Sequence, residues 1–337
     1  MHPTVAFSKS AANVFFHVLT QCNLSCRHCY INPVQHGRRR LNLTTIRRWL
    51  SVLAERSPAA NLVLLGGEPT LHPDLAAVVH AARKLEYASV TIDTNGYLFN
   101  RILERVTPGQ VDFFSFSLDG ATAATNDAIR GEGSFDTCTT GIVRTRERGF
   151  RTSLIYTVSR RNLSELIQMP DLLTRLGVDR FFIQVIGLRG QSAGEGAQED
   201  GLQVTREDWL QTVPPAAEAA ARRGISVTYP KVYLSPGEVF ECAGRVADNY
   251  FVFPNGRVYR CPLCEDFPLH SLKFIGDKLQ ATPALNESDL FGLDVAEGCV
   301  MNKLIQPGNL AYGADGRPLY RVACCLLKEQ LRPASPA

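Results

Sequence analysis

Between residue 13 and about residue 189, short and nearly continuous apolar runs alternate with segments whose apolar positions recur at helical spacing. The runs cover residues 14–19, 62–65, 89–92, 111–117, 153–158 and 180–186, and they are rich in Val, Ile and Phe. Runs of this kind, without polar alternation, predict strands buried on both faces of a parallel sheet. Between them lie helix candidates. In one, Ile46, Trp49, Leu50 and Leu53 share a face; in another, Ser134 serves as N-cap and Gly149 ends the helix after Arg144, Arg146 and Arg148. Strand–helix repetition specifies βαβ units with right-handed crossovers. Six strands are fewer than the eight of a closed triosephosphate-isomerase-type barrel. The expected fold is therefore α/β, an open, partial (β/α)6 TIM-type barrel with its site at the C-terminal ends of the strands.

The pattern then changes. Residues 187–201 are rich in Gly, Gln, Ser and Glu and predict a long loop over that end of the barrel. A helix over 205–223 follows, interrupted near Pro214-Pro215. After Ser235 the chain breaks into short segments with turn signals at Pro254-Asn255-Gly256 and at 313–316. This is a small domain whose periodic hydrophobicity is too sparse to hold it together, and metal staples would supply what its core lacks. The expected division is a core with a bridging helix over 1–234 and a cysteine-rich domain over 235–337, ending in a disordered tail from Arg332.

Composition excludes several classes. The 337 residues suffice for about two domains. No apolar run approaches the roughly 20 residues that cross a bilayer, and residues 1–12 carry no secretion signal, so a cytoplasmic protein is expected. A net charge of +3, from 36 basic and 33 acidic residues, points to neither a nucleic-acid nor a membrane partner. The ten cysteines are the unusual feature. In a reduced compartment they indicate metal or redox chemistry rather than disulfides. They fall in two groups: Cys22, Cys26 and Cys29, then Cys242, Cys261, Cys264, Cys299, Cys324 and Cys325, with Cys138 alone between as a core cysteine.

The first group, Cys22-Asn-Leu-Ser-Cys26-Arg-His-Cys29-Tyr30, is a C-x3-C-x2-C loop directly after the first strand. A structural zinc would need a fourth ligand, for which His28 and His36 are nearest. The alternative is a [4Fe–4S] cluster with three irons held by thiolates and one left open. The loop resembles the signature of the radical S-adenosylmethionine (radical SAM) superfamily, with His28 at the commonly aromatic position before the last cysteine. Further motifs follow in order at predicted strand ends: Gly66-Gly67-Glu68-Pro69, Asp93-Thr94-Asn95-Gly96, Ser115-Phe116-Ser117-Leu118-Asp119-Gly120 and Ile129-Arg130-Gly131. The resemblance covers roughly residues 13–190. It implies that Gly66, Gly67, Glu68 and Pro69 hold the cofactor's amino group and that Ser117 meets its methionine or ribose part. By the same resemblance Arg130 pairs with its carboxylate and Ile186 meets its adenine, while Thr157, Val158, Ser159 and Asn162 fall in a further ribose-contact region. His28, Thr94 and Asn95 complete the implied cofactor-binding set. Read as isolated residues, Asn95 and Ser117 are equally turn-capping groups.

In the second group, Cys242, Gly256 and Cys261 form C-x13-G-x4-C, which resembles the start of the auxiliary-cluster domains called SPASM and twitch. The remaining SPASM spacing is missing. Six thiols are too few for two complete clusters, so one auxiliary [4Fe–4S] cluster is expected, with Cys242 and Cys261 as ligands. The other two ligands are expected among Cys264, Cys299, Cys324 and Cys325, with only one of the vicinal pair binding because neighbours on a strand face opposite ways. If Cys264 is not a ligand, its thiol is a candidate hydrogen donor to substrate. Cys299 is also readable as core. The run Arg38-Arg39-Arg40 is a solvated loop, or else it lies over the site and meets an anionic group.

These features imply an enzyme that reductively cleaves S-adenosylmethionine to a 5′-deoxyadenosyl radical and abstracts hydrogen from substrate, drawing electrons from a donor such as flavodoxin or ferredoxin. The auxiliary cluster would oxidise or anchor the substrate, or give up sulfur. Only 21 residues precede Cys22, too few for a leader-binding domain, so the expected substrate is a small polar metabolite of sugar, aminocyclitol or nucleoside type. The alternative is a peptide. A non-catalytic zinc-binding module is the remote third reading.

Overall fold

The computed structural model describes residues 4–6, 12–193, 201–234 and 237–333. Its strands are β1 (Thr4–Ala6), β2 (Asn13–His17), β3 (Asn61–Leu65), β4 (Ser89–Thr94), β5 (Phe113–Ser117), β6 (Thr152–Val158), β7 (Arg180–Val185) and β8 (Ser226–Pro230). They continue with β9 (Tyr233–Leu234), β10 (Asn249–Val252), β11 (Arg257–Tyr259), β12 (Leu272–Ile275), β13 (Lys278–Ala281), β14 (Arg321–Val322) and β15 (Lys328–Leu331).

The six expected runs are β2 to β7, parallel and in chain order. The parallel run is longer than the sequence suggests. β8 pairs with β7, and β10 pairs with the opposite edge at β2, so eight strands lie parallel. Beyond them the sheet continues antiparallel, through β15 and β1 on one side and β11 to β13 on the other. The sheet is thus an open α/β barrel of the partial TIM type, and residues after 235 extend both of its edges. β8 carries little apolar signal, with Val227 and Tyr229 between polar neighbours and a proline at its end. β10 is short and is inserted out of chain order.

Burial along the strands alternates, which separates the two faces of the barrel wall. Val14, Phe16, Leu62, Leu64, Val90 and Ile92 are fully buried. They pack in one core with Ile46, Leu50 and Leu53 of the helix Leu43–Arg56 and Val78 and Val79 of Leu75–Lys84. Each such side chain contributes roughly 1.5–3 kcal/mol of apolar burial. The intervening Phe15, Val63, Leu65, Thr91 and Asp93 are only half-buried and line the inside.

Two helix details differ from expectation. The helix Arg206–Arg222 runs through Pro214 and Pro215 without a break. The hydrogen bonds lost to proline are offset by burial of Trp209, Val213, Ala216, Ala217 and Ala220 on one face. Ser134 is the first residue of its helix rather than the cap; Gly133, at φ +75°, takes that place, and the Ser134 hydroxyl donates to Asp127 Oδ1 at 3.0 Å. In the predicted long loop, Gly190–Ala193 forms a short 3-10 turn, while residues 194–200, like tail residues 334–337, lie outside the described residues. Among the described residues no helix is long and apolar enough to cross a membrane.

Candidate functional site

The first cysteine loop leaves the C-terminal end of β2, and the glycines after β3 are what let it pass there. A Cβ on Gly67 would lie 2.3 Å from the Gln21 carbonyl oxygen and 2.8 Å from Cys22 Cβ; one on Gly66 would lie 2.8 Å from the Leu19 oxygen. Glu68 N donates to that same Gln21 carbonyl at 2.9 Å. The Gly-Gly pair therefore seats the cysteine loop as well as offering bare backbone.

Glu68 is fully buried, and its carboxylate faces inward along the strand ends. It accepts from Asn95 N at 2.7 Å, Thr70 N at 3.0 Å, Thr94 Oγ1 at 3.0 Å and the Thr70 hydroxyl. Burial pushes its carboxyl up, against the pull of these donors. Pro69 opens the 3-10 turn that Glu68 caps. Asn95 reaches the cysteines directly, with Nδ2 2.8 Å from Asn23 Oδ1 and 3.7 Å from Cys22 Sγ. Glu68, Thr94 and Asn95 thus form one network behind Cys22.

A second network holds the far side of the loop. Asp119, fully buried, takes Arg130 Nε at 2.6 Å and His28 Nε2 at 3.0 Å on Oδ2, and Thr157 N at 2.7 Å on Oδ1. Burial alone would raise its carboxyl, but the Arg130 guanidinium and the His28 imidazole more than reverse this and hold it well below the usual range. Arg27 N donates to Ile129 O at 3.0 Å, and Cys26 Sγ lies 3.9 Å from Arg130 O. His28 Nδ1 is buried without a partner. Arg130 and His28 are therefore beside the cysteines, joined through a residue to which the sequence assigned no role.

The three thiols of the loop differ in exposure, Cys22 being exposed and Cys26 and Cys29 half-buried. Partial desolvation of the thiol pushes Cys22 up to about 11, with Glu68, Cys26 and Cys29 adding to the rise. Cys26 and Cys29 are raised by burial too. Metal binding at such thiols must release protons. Asn162 closes the ribose-contact region by donating from Nδ2 to Asp119 O at 3.0 Å and Thr157 O at 2.9 Å, while its Oδ1 accepts from Ser159 N at 2.7 Å. Ser117 is half-buried at the end of β5, and its carbonyl faces Cys138 Sγ at 3.6 Å. Ile186 is buried, and its N–H is taken by Val158 O at 3.1 Å. Cys138 is a core residue, as expected.

The inner barrel adds groups the sequence did not single out. Asp93 sits beside Ser115 across the β4–β5 register, and burial pushes its carboxyl up to about 7 with a contribution from Glu68. Tyr30 OH is 2.7 Å from His17 Nε2, and His17 stacks on Phe253 with ring centroids 4.0 Å apart. His36, a candidate zinc ligand by sequence, instead stacks on the other side of Phe253 at 3.7 Å and bonds through Nε2 to Glu265 O at 2.8 Å. Burial keeps both rings neutral, lowering His17 to about 3 and His36 to about 4.

The second cysteine group converges on one apolar cavity lined by Cys242, Cys261, Cys299, Cys324 and Cys325, with Phe291 among its walls. Gly256, at φ +86°, turns the chain between β10 and β11 and so returns Cys261 toward Cys242. Glu287 fixes this return, accepting from Arg260 N at 2.7 Å and Cys261 N at 3.0 Å. Cys324 and Cys325 both border the cavity. The alternation rule fails because they lie at a turn, where Leu327 N donates to Cys324 O at 2.9 Å, and not in a strand. Cys264 is fully buried in the neighbouring apolar cluster, its thiol paired with that of Cys261.

Among the described residues no three His, Cys, Asp or Glu side chains come close enough to hold a single metal ion. A mononuclear zinc site needs its thiolates packed around one centre, whereas a cubane cluster takes each on a different iron and spreads them. Five thiols border one apolar cavity and three lie on one rim loop, donor sets of the kind that hold a cubane cluster.

Residues 17–173 match the family model described as the radical SAM superfamily. The chain is 29% identical over 229 residues to pre-heme d1 synthase of Dinoroseobacter shibae, covering 66% of this chain and 56% of that protein. It is 29% identical over 256 residues to PqqA peptide cyclase of Gluconobacter oxydans, covering 74% of this chain and 69% of that one. The chain thus spans little more than half the length of the first of these relatives. Among solved structures, Streptococcus suis SuiB bound to precursor peptide SuiA superposes with a TM-score of 0.62 at 15% identity, covering 81% of this chain and 64% of that one. At that identity the likeness concerns the fold.

Proposed function

We propose, on the premise that this chain belongs to the radical SAM superfamily, that it is an enzyme modifying a peptide by radical chemistry. When bound, the family's [4Fe–4S] cluster and S-adenosylmethionine supply a 5′-deoxyadenosyl radical that abstracts hydrogen from an unactivated C–H bond. Cys22, Cys26 and Cys29 would hold the cluster. The observation that carries this is the pair of buried networks that hold the Cys22–Cys29 loop against the glycine turn after β3: Glu68 accepts from Asn95 N, and Asp119 takes His28 Nε2 and Arg130 Nε. Asn95 and the Glu68 network keep Cys22 in place, and the Asp119–Arg130–His28 network keeps Cys26 and Cys29 in place. The backbone of Gly66 and Gly67, Ser117 and the free edge of Arg130 would orient the cofactor.

In the cavity after residue 240, Cys242, Cys261, Cys299 and Cys324 would hold an auxiliary cluster, with Cys325 in reserve. Cys264, buried and paired with Cys261, would act as a support to that site and not as a hydrogen donor. The relative named as a peptide cyclase supports a peptide substrate over the small polar metabolite expected from the sequence. That expectation leaned on the short stretch ahead of Cys22, and a chain spanning part of its relatives' length supports no conclusion from where it begins.

Anaerobic reconstitution tests the reading. The expected protein holds about eight irons and forms 5′-deoxyadenosine from S-adenosylmethionine with dithionite. The Cys22→Ala variant should keep about four irons and form none. A colourless zinc protein, or cleavage that survives loss of Cys22, would overturn it.

A further inference from the structure

Charge is spread unevenly along this chain. The first 54 residues contain seven Lys and Arg and no Asp or Glu, while the other 283 contain 29 basic and 33 acidic residues. The near-neutral total hides this asymmetry. The fold then concentrates the basic part beside the first cysteine loop. Residues 38–41 run antiparallel to residues 18–20: Leu19 bridges to Arg40, Thr20 N donates to Arg39 O at 2.9 Å, and Arg39 N donates to Thr20 Oγ1 at 2.9 Å. Thr20 precedes the exposed Cys22 by two residues, and Arg27 lies within the cysteine loop itself.

Arg27, Arg38, Arg39, Arg40 and Arg47 are all exposed. Among the described residues none of their side chains has an ion-pair or hydrogen-bond partner, whereas the adjacent Arg48 pairs with Asp277 at 2.8 Å. Exposed guanidinium groups on one paired stretch of chain, without counter-charge, project a positive field that attracts an acidic partner over about 10 Å at moderate salt.

We infer that this arginine rim is the docking surface for an acidic one-electron carrier protein that reduces the cluster on Cys22, Cys26 and Cys29. The inference rests on the radical reading above, since only a redox centre at those thiols gives such a carrier a reason to dock. Electron transfer weakens steeply with distance, so the donor must sit against the cysteine loop and then leave. Small, charge-steered interfaces serve that purpose. An extended acidic peptide fits less well, because the backbone of residues 39–41 is already paired with residues 18–20 and presents no groove.

Binding of an acidic flavodoxin, measured by calorimetry, tests this separately from catalysis. The wild type should bind it, and weaken as salt rises from about 50 to about 300 mM. R38Q/R39Q/R40Q should lose affinity about tenfold and lose flavodoxin-driven 5′-deoxyadenosine formation in proportion, with dithionite-driven formation unchanged. R144Q/R175Q, which removes two exposed arginines elsewhere, should behave as wild type. Carrier binding that ignores both salt and the triple substitution would overturn the docking surface and leave the radical reading standing. Absence of dithionite-driven cleavage in the wild type would overturn the radical reading, and with it the reason for a carrier.

Discussion

At the scale of single residues, the first cysteine loop is organised by two buried carboxylates, Glu68 and Asp119, that act on it through other residues. Asp119, itself fully buried, joins Arg130 and His28. Its folded-state pKa lies below the value of about 3.9 for an unfolded chain. The stability it contributes is therefore fully present above about pH 4 and is lost as pH falls through and below that point. Asp119→Asn keeps the shape but leaves Arg130 buried without a counter-charge, at a cost of about 3–5 kcal/mol near neutrality. The expected result is a melting temperature lower by roughly 6–15 °C at pH 7, with the gap from wild type narrowing as pH approaches 3. Equal melting at pH 7 would show that the pair is not what holds the loop. This role was invisible in the sequence because a carboxylate in a Ser-Leu-Asp-Gly turn reads as a local cap. Only the fold brings it to His28 and Arg130. The thiols, by contrast, were singled out as a candidate metal centre by their spacing, because three cysteines on so short a loop can reach one centre wherever the loop sits in the fold.

At the scale of elements, the turns after successive strands are built by backbone proximity. Gly67 is a tight case that bears on the cysteines: the atoms a methyl would meet are the Gln21 carbonyl and Cys22 Cβ, neither of which can withdraw without moving Cys22. Gly67→Ala should cost about 1–3 kcal/mol of overpacking and displace the loop, so that on the proposed two-cluster reading reconstituted iron falls by about half. Gly109→Ala, whose methyl would find nothing closer than 4.0 Å, should leave both iron content and melting unchanged. Iron analysis beside a thermal melt separates loop displacement from general unfolding; full iron in Gly67→Ala would show that the close approach is relaxed elsewhere. The central strands were readable because their outer faces are buried and almost wholly apolar, and half-buried inner positions such as Phe15, Val63 and Leu65 are apolar too. β8 and β10 escaped because each lies near an end of the parallel run and is short or half polar. The alternation argument for the vicinal cysteines has a related limit: they lie at a turn, where sequence alternation carries no information.

At the scale of the whole molecule, the division near residue 234 is a change of sequence character that the sheet does not respect. β10 completes one edge against β2, and β15 covers the other against β8. Side chains tie the two parts further. Arg189 Nη1 donates to Pro262 O and, at 3.1 Å, to Glu265 Oε2. Asn32 Nδ2 and Gly190 N both donate to Asp266 Oδ1, at 2.8 and 3.1 Å. Phe253, from the later part, fills the gap between the rings of His17 and His36 from the earlier part. A chain cut after Leu234 would therefore present two bare strand edges, β2 and β8, and two neutral histidines stripped of the ring they enclose. Exposed edges of parallel strands recruit other chains. The 1–234 fragment should accordingly appear in aggregates or as an expanded species on size exclusion, with weak near-ultraviolet dichroism, while the full chain elutes as a compact species. A monomeric fragment with the full chain's aromatic signal would mean that the barrel stands alone and that residues 235–337 are an appendage. The paired edges and the sandwiched Phe253 argue that they are instead part of the wall on which the first cysteine loop is mounted.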